Sequence, residues 1–288
     1  LDHSINNICD EWTQELDAQL TLKILSQFQK VDWVIVDNYE LDSSWEKLLG
    51  TTYKVAAIED LRNRKHAAAI IISESPTEFP AHLISDTKNT RLLIGPQFSI
   101  IAKKPVKRLS CDIKPKCITV LITYGASDLT NESLKALKAA VNWQNITSTK
   151  FNIKVALIIG PHYSNSTLIQ NECFKAGVKV YKAPKDIQDL LRRSDLVLTT
   201  GGNTMVEALN YCCLTIVTTT EENQIPLVNH LKEKEVIFDM GLHDTVTSDK
   251  LFSCLTYISG DVYNLVNRVI DNNPFDGQGC ERIYGELF

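Results

Sequence analysis

Short apolar runs alternate with helical stretches on both sides of a Lys/Pro-rich segment, and run after run ends on glycine or on polar side chains. That alternation predicts an α/β protein built from two Rossmann-like parallel-sheet domains facing each other across a cleft. The length of 288 residues supports it, being enough for two domains that each bury a core. The expected boundaries are 1–108 for the N-terminal domain, 109–275 for the C-terminal domain, and a closing helix over 276–288 that packs back on the first domain.

In the first half, Leu16, Leu20, Leu22, Ile24, Leu25 and Phe28 recur at helical spacing and predict an amphipathic helix over 11–28. The run 33–36 is a buried strand ending at Asp37-Asn38-Tyr39. A helix over 41–49 follows, then a strand over 54–58 ending at Glu59-Asp60. Further strands are expected over 67–72 and 91–94, the last closing at Gly95-Pro96-Gln97. The chain opens at Leu1 without Met and enters a helix where a doubly wound domain would open with a strand. The first domain is therefore expected to lack its first βα unit.

The segment 103–116 breaks this rhythm and reads as the domain boundary. A strand over 117–123 then leads into the turn 124–128 and a helix over 131–141. Strands over 154–159, 178–181 and 196–200 alternate with helices over 166–176 and 186–192. The strand 196–200 feeds Gly201-Gly202-Asn203-Thr204 and a helix carrying Glu207. The strand over 214–220 ends at Glu221-Glu222-Asn223-Gln224 before another helix.

The Gly201-Gly202 turn is the most informative stretch. A Gly-Gly pair alone is more often a tight βα turn than a ligand site. Here two successive strand ends, both opening helices, carry polar side chains. In open α/β sheets ligands collect at the carboxyl ends of the strands. Free N–H groups and the helix dipole attract a phosphate there, and Glu207, one turn in, can reach a sugar hydroxyl. The expected site is half of a nucleotide site.

Composition excludes several classes. The net charge of −5 gives no footprint for nucleic acid. No apolar run is long enough to cross a bilayer, and the first residues are not a signal peptide. Eight cysteines show no C-x-x-C pair and no spacing suited to zinc, so they read as reduced thiols of a cytoplasmic protein. No metal and no cofactor are expected. Asp60, Asp128 and His162 have ordinary readings as caps or loop residues, and so does His66.

Dispersed motifs, in order along nearly the whole chain, carry a family resemblance. Glu11-Trp12 with Asp17-Ala18 and Thr21, Trp33 to Tyr39, Ile58-Glu59-Asp60-Leu61 with Arg64, and Leu93 to Phe98 form its first half. Tyr124-Gly125-Ala126-Ser127-Asp128, Gly201-Gly202-Asn203-Thr204 with Glu207, Glu222-Asn223-Gln224 and Asp276-Gly277-Gln278-Gly279 with Arg282 form its second. The chain resembles the UDP-sugar hydrolases of pseudaminic acid biosynthesis, the UDP-2,4-diacetamido-2,4,6-trideoxy-β-L-altropyranose hydrolase group. These are built like the MurG-type glycosyltransferases, in the GT-B manner. The family's G-x-G-H-x-x-R loop, which carries its water-activating histidine, has no counterpart in this sequence. Asn38 stands where the family often has His, and Ala126 where it has Gly.

The resemblance implies hydrolytic release of UDP from a UDP-linked 6-deoxy diacetamido sugar, that small molecule being the expected partner, with the oligomeric state left open. It implies that the second domain holds UDP through Gly201, Gly202, Asn203, Thr204, Glu207, Asn223 and Gln224, with Gly125 and Ser127 on the opposite wall. Asp37, Asn38, Tyr39, Gly95 and Gln97 would serve the sugar, the first three as the catalytic candidates. With the family's histidine loop missing, Asp37 and Asp60 are the substitutes for its base. Two alternatives stay open: a GT-B glycosyltransferase using a UDP-sugar donor, and a nucleotide-sugar-binding homologue without turnover.

Overall fold

A computed structural model describes residues 13–86, 88–101, 117–147 and 152–288. The chain divides into two compact units, Leu1–Ser99 with Gly279–Phe288, and Ile100–Gln278. The boundary segment 103–116, the residues Glu11 and Trp12, and Cys9 and Cys111 lie outside the described residues.

The first unit is a four-stranded parallel sheet in the order β1 (Trp33–Val36), β2 (Lys54–Ile58), β3 (Ile70–Ser73) and β4 (Arg91–Ile94). Alternate residues of β2 face opposite sides, as the pleat requires. Val55 and Ala57 pack with Trp45 and Leu49 of α2 (Ser43–Gly50) and with Ala18 of α1 (Gln14–Leu25). On the other face Ala56 joins Ile70, Ile72 and Leu93 around Ile283 of the C-terminal helix α10 (Gly279–Leu287). A Cβ at Gly279 would lie 2.1 Å from the Ser99 carbonyl oxygen, so only glycine lets α10 begin against that backbone.

Helix α2 starts one residue after Asp42, whose side chain accepts from Ser44 N–H at 2.7 Å and satisfies an orphan donor of the first turn. Helix α1 departs from the amphipathic expectation. It meets the sheet layer through Ala18, Leu22 and Leu25, whereas Leu16, Leu20 and Ile24, with Phe28 just past its end, remain exposed. Contact with α2 along one narrow stripe leaves that second apolar row uncovered by the described residues.

The second unit is a six-stranded parallel sheet in the order β10-β9-β8-β5-β6-β7. Its strands are β5 (Cys117–Ile122), β6 (Asn152–Ile159), β7 (Lys179–Lys182), β8 (Leu196–Thr200), β9 (Leu214–Thr219) and β10 (Ile237–Leu242). Helices alternate with them: α3 (Glu132–Thr147), α4 (Ser166–Lys175), α5 (Ile187–Arg192), α6 (Asn203–Asn210), α7 (Ile225–Glu233), α8 (Ser248–Gly260) and α9 (Val262–Asn272). Counted from β5, this is the doubly wound order 3-2-1-4-5-6, whose direction reverses between β5 and β8. Interior strand β9 is buried throughout, as a strand covered on both faces must be.

Helix α3 runs on to Thr147, past the expected end at 141. No strand is expected from the residue pattern after 220. Strand β10 escapes it because Asp239 and Gly241 break the apolar run, and its register shifts between Asp239 and Leu242. None of the described helices is long and apolar enough to cross a membrane. Cys173, Cys212 and Cys213 are buried, Cys280 is exposed, and all the described cysteines carry free thiols.

Candidate functional site

Because β9, β8 and β5 are neighbours, the turns after them lie side by side at the carboxyl edge of the second unit. The structure thus brings together Gly125 and Ser127, Gly201 to Thr204, and Asn223 and Gln224 at the reversal of the sheet. Helix α6 opens there. Its N-cap is Gly202, with no side-chain cap, while Met205 N–H already turns back to the Gly202 carbonyl. The amides of Asn203 and Thr204 therefore start the helix with no capping side chain, an arrangement that suits an anion.

The two glycines differ in role. A Cβ at Gly201 would meet Val228 Cγ2 of α7 at 2.6 Å, so this glycine lets α7 pack. At Gly202 the nearest atom would be Thr200 Oγ1 at an ordinary 3.6 Å, so its surroundings are open. Gly201 N–H is also engaged. Gln224 Oε1 accepts from it at 3.2 Å and from Thr220 N–H at 3.0 Å, so Gln224 ties the two turns together. Glu207 is half-buried one turn into α6, where burial pushes its carboxyl above the usual range against a bond from Gln188. Asp128 is the cap of α3, accepting from Glu132 and Ser133 N–H, each at 2.9 Å.

In the first unit the neighbouring strands align Asp37 to Tyr39, Glu59 and Asp60, Glu74, and Gly95 to Gln97 along one carboxyl edge. Asp37 and Asn38 are exposed. Tyr39 Oη donates to Asp60 Oδ2 at 2.9 Å. Burial, then the Asp60 bond and the nearby acids, push the phenol up to about 12, so it remains a donor at neutral pH. Burial also raises the Asp60 carboxyl, helped by Glu59 and Asp37 and opposed by the Tyr39 bond. Its Oδ1 is buried without a partner among the described residues. Gln97 folds its side chain back, Nε2 donating to Ile94 O at 2.9 Å, beneath Gly95. Its carbonyl accepts from Arg282 of α10.

Two groups escape the sequence reading. Glu74, at the end of β3, accepts from Ser99 Oγ at 2.9 Å, and burial raises its carboxyl. A polar residue closing an apolar run was the available signal, as at Asp37 and Asp60. His66 lies in the connection between β2 and β3 but is not the ordinary loop residue expected: its side chain is 1% exposed, with a carboxylate at each ring nitrogen. Nothing in the sequence around a single His among alanines announces that. Among the described residues no group of three or more His, Cys, Asp or Glu could hold a metal.

No family model matches the chain. An uncharacterized protein of Methanocaldococcus jannaschii is 26% identical over 192 residues, 62% of this chain. The matched stretch spans only 38% of that relative's length. Among solved structures, MurG of Acinetobacter baumannii superposes with a TM-score of 0.62 at 14% identity, over 94% of this chain and 76% of that one. MnaA of Staphylococcus aureus, solved with UDP, gives 0.59 at 13%, over 97% and 84%. The pneumococcal O-GlcNAc transferase GtfA, solved with UDP and GlcNAc, gives 0.56 at 10%, over 95% and 59%. At these identities the likeness defines the fold. The chain is a GT-B-like protein of two Rossmann-like parallel-sheet domains.

Proposed function

We propose that the chain binds a UDP-linked amino sugar and releases UDP from it by hydrolysis. The observation that carries this reading is the open start of α6 at the reversal of the second sheet, with half-buried Glu207 one turn further on. The dispersed motif resemblance to the UDP-sugar hydrolases supports the finer assignment, and so does the presence of UDP in two structures of the same fold.

In this reading Gly202, Asn203 and Thr204 receive the diphosphate. Glu207 accepts from ribose hydroxyls, and Gly125 and Ser127 flank the nucleotide. Asn223 contacts the phosphate or the sugar, while Gln224 keeps the two turns in register. Departure of UDP develops negative charge on its terminal phosphate, which the amino end of α6 stabilises without a metal. The first unit serves the sugar through Asp37, Asn38, Tyr39, Gly95 and Gln97. Water attacks the anomeric carbon, the bond to UDP breaks, and a carboxylate takes the water's proton. Of the two aspartates we take Asp60 as the base, since burial raises its carboxyl and Tyr39 orients it.

The test is UDP release from a panel of UDP-linked acetamido sugars, with Asp60→Asn and Glu207→Gln alongside. Hydrolysis abolished by the first substitution and weakened in KM by the second supports the reading. UDP release only when an acceptor sugar is added would replace it with glycosyl transfer. Binding without release would leave a nucleotide-sugar receptor.

A further inference from the structure

His66 lies between β2 and β3 with both ring nitrogens engaged. Nδ1 is 2.7 Å from Glu46 Oε1 of α2, and Nε2 is 2.8 Å from Glu59 Oε2 at the end of β2. Each carboxylate is further saturated with donors. Glu46 Oε2 accepts from the N–H groups of Ala67 and Ala68. Glu59 accepts from Arg62 N–H at 2.6 Å and pairs with Arg64 at 2.8 Å. An ionised carboxylate only accepts, so both ring nitrogens must carry protons. The side chain is a buried imidazolium between two anions, with the Phe79 ring at its edge and Asp42 nearby.

What Glu59 holds extends this to the rim. Arg64 donates to the carbonyls of Asn38 and Leu41 at 3.1 and 2.9 Å and lies over the Tyr39 ring. Arg62 reaches the other way, to the Ser75 and Glu78 carbonyls and to Thr77 Oγ1. One buried anion therefore anchors two arginines, Arg64 by its guanidinium and Arg62 by its backbone N–H, one reaching the loop after β1 and the other the loop after β3. The residue that neutralises and orients that anion from inside the fold is His66.

We propose that His66 is a positioning residue, a buried imidazolium that fixes Glu59 and, through Arg62 and Arg64, the loops carrying Asn38, Tyr39 and Glu74 at the carboxyl rim of the first unit. The importance of that rim rests on the proposed function; the lock itself does not. Above the pH at which the ring loses one proton, a single N–H remains for two carboxylates and the cation that balances them is gone. The hold on Glu59 then weakens and both loops loosen together, although they are far apart in sequence.

Two readouts need no substrate. Nitrogen-15 spectra of the histidine rings should show one ring doubly protonated well above pH 7. A set of rings all titrating near the ordinary value of about 6.5 would overturn the proposal. Hydrogen exchange, corrected for its intrinsic pH dependence, should show 38–41 and 73–78 opening together as pH rises towards 9. In His66→Gln the same two loops should exchange roughly tenfold faster at all pH values, with the second unit unchanged. Equal exchange in a folded variant would overturn it. If His66→Gln does not fold, Glu46→Gln gives the same comparison with a milder change. Loops that behave as stated in a protein that releases no UDP would sink the proposed function alone.

Discussion

At the scale of single residues, the chemistry of the first unit is set by burial acting against partnership. For His66, burial disfavours the cation, but Glu46 and Glu59 outweigh it and push the ring up to about 9. For Glu59, burial disfavours the anion, but His66, Arg62 N–H and Arg64 hold it below the usual carboxylate range. The two signs define a window. A raised histidine pKa gives stability that is fully present below about 6.5 and is lost as pH rises through about 9. A lowered glutamate pKa gives stability present above its ordinary value and lost as the solution is acidified. The urea midpoint of the first unit should thus be highest between about pH 5 and 6.5, fall steadily above that, and reach its low plateau by about pH 9.5. In His66→Gln that alkaline fall should shrink, and an identical alkaline fall in variant and wild type would contradict the assignment.

At the scale of elements, capping and strand ends do most of the positioning. Asp128 has a positive φ of 42° and gives both carboxylate oxygens to the first amides of α3. Asp128→Ala should lower stability by about 1 to 2 kcal/mol, measured by denaturant unfolding of the intact chain. A change below a few tenths would mean that the cap is dispensable. Most elements were legible in the sequence for physical reasons. Buried parallel strands such as 196–200 and 214–219 are continuous apolar runs, and the turns that follow them carry glycine or polar groups. What was not legible was pairwise. That Gln224 turns inward to Gly201 N–H, or that His66 meets Glu46, depends on strand order and side-chain direction rather than on local pattern. The exposed row on α1 shows the converse, since helical spacing reports a possible apolar face and not what covers it.

At the scale of the whole molecule, the first unit is discontinuous in sequence, closing with α10. Ile283 packs among Ala56, Ile70, Ile72 and Leu93, and Trp33 Nε1 donates to the Leu287 carbonyl at 2.7 Å. Removing 279–288 should therefore weaken the first unit by at least the roughly 2 kcal/mol that a buried isoleucine contributes. Fluorescence of Trp33 and Trp45 should report an earlier transition, while buried Trp143 in the second unit keeps its own. Unchanged unfolding of both would show that α10 is not part of the first core. Calorimetric titration with UDP, beside Glu207→Ala, is the test of the nucleotide site in the second unit. Binding by the wild-type chain, weakened about tenfold or more by the substitution, is the predicted result. No heat of binding from a folded chain, or equal affinity in both proteins, would contradict the nucleotide site at the start of α6.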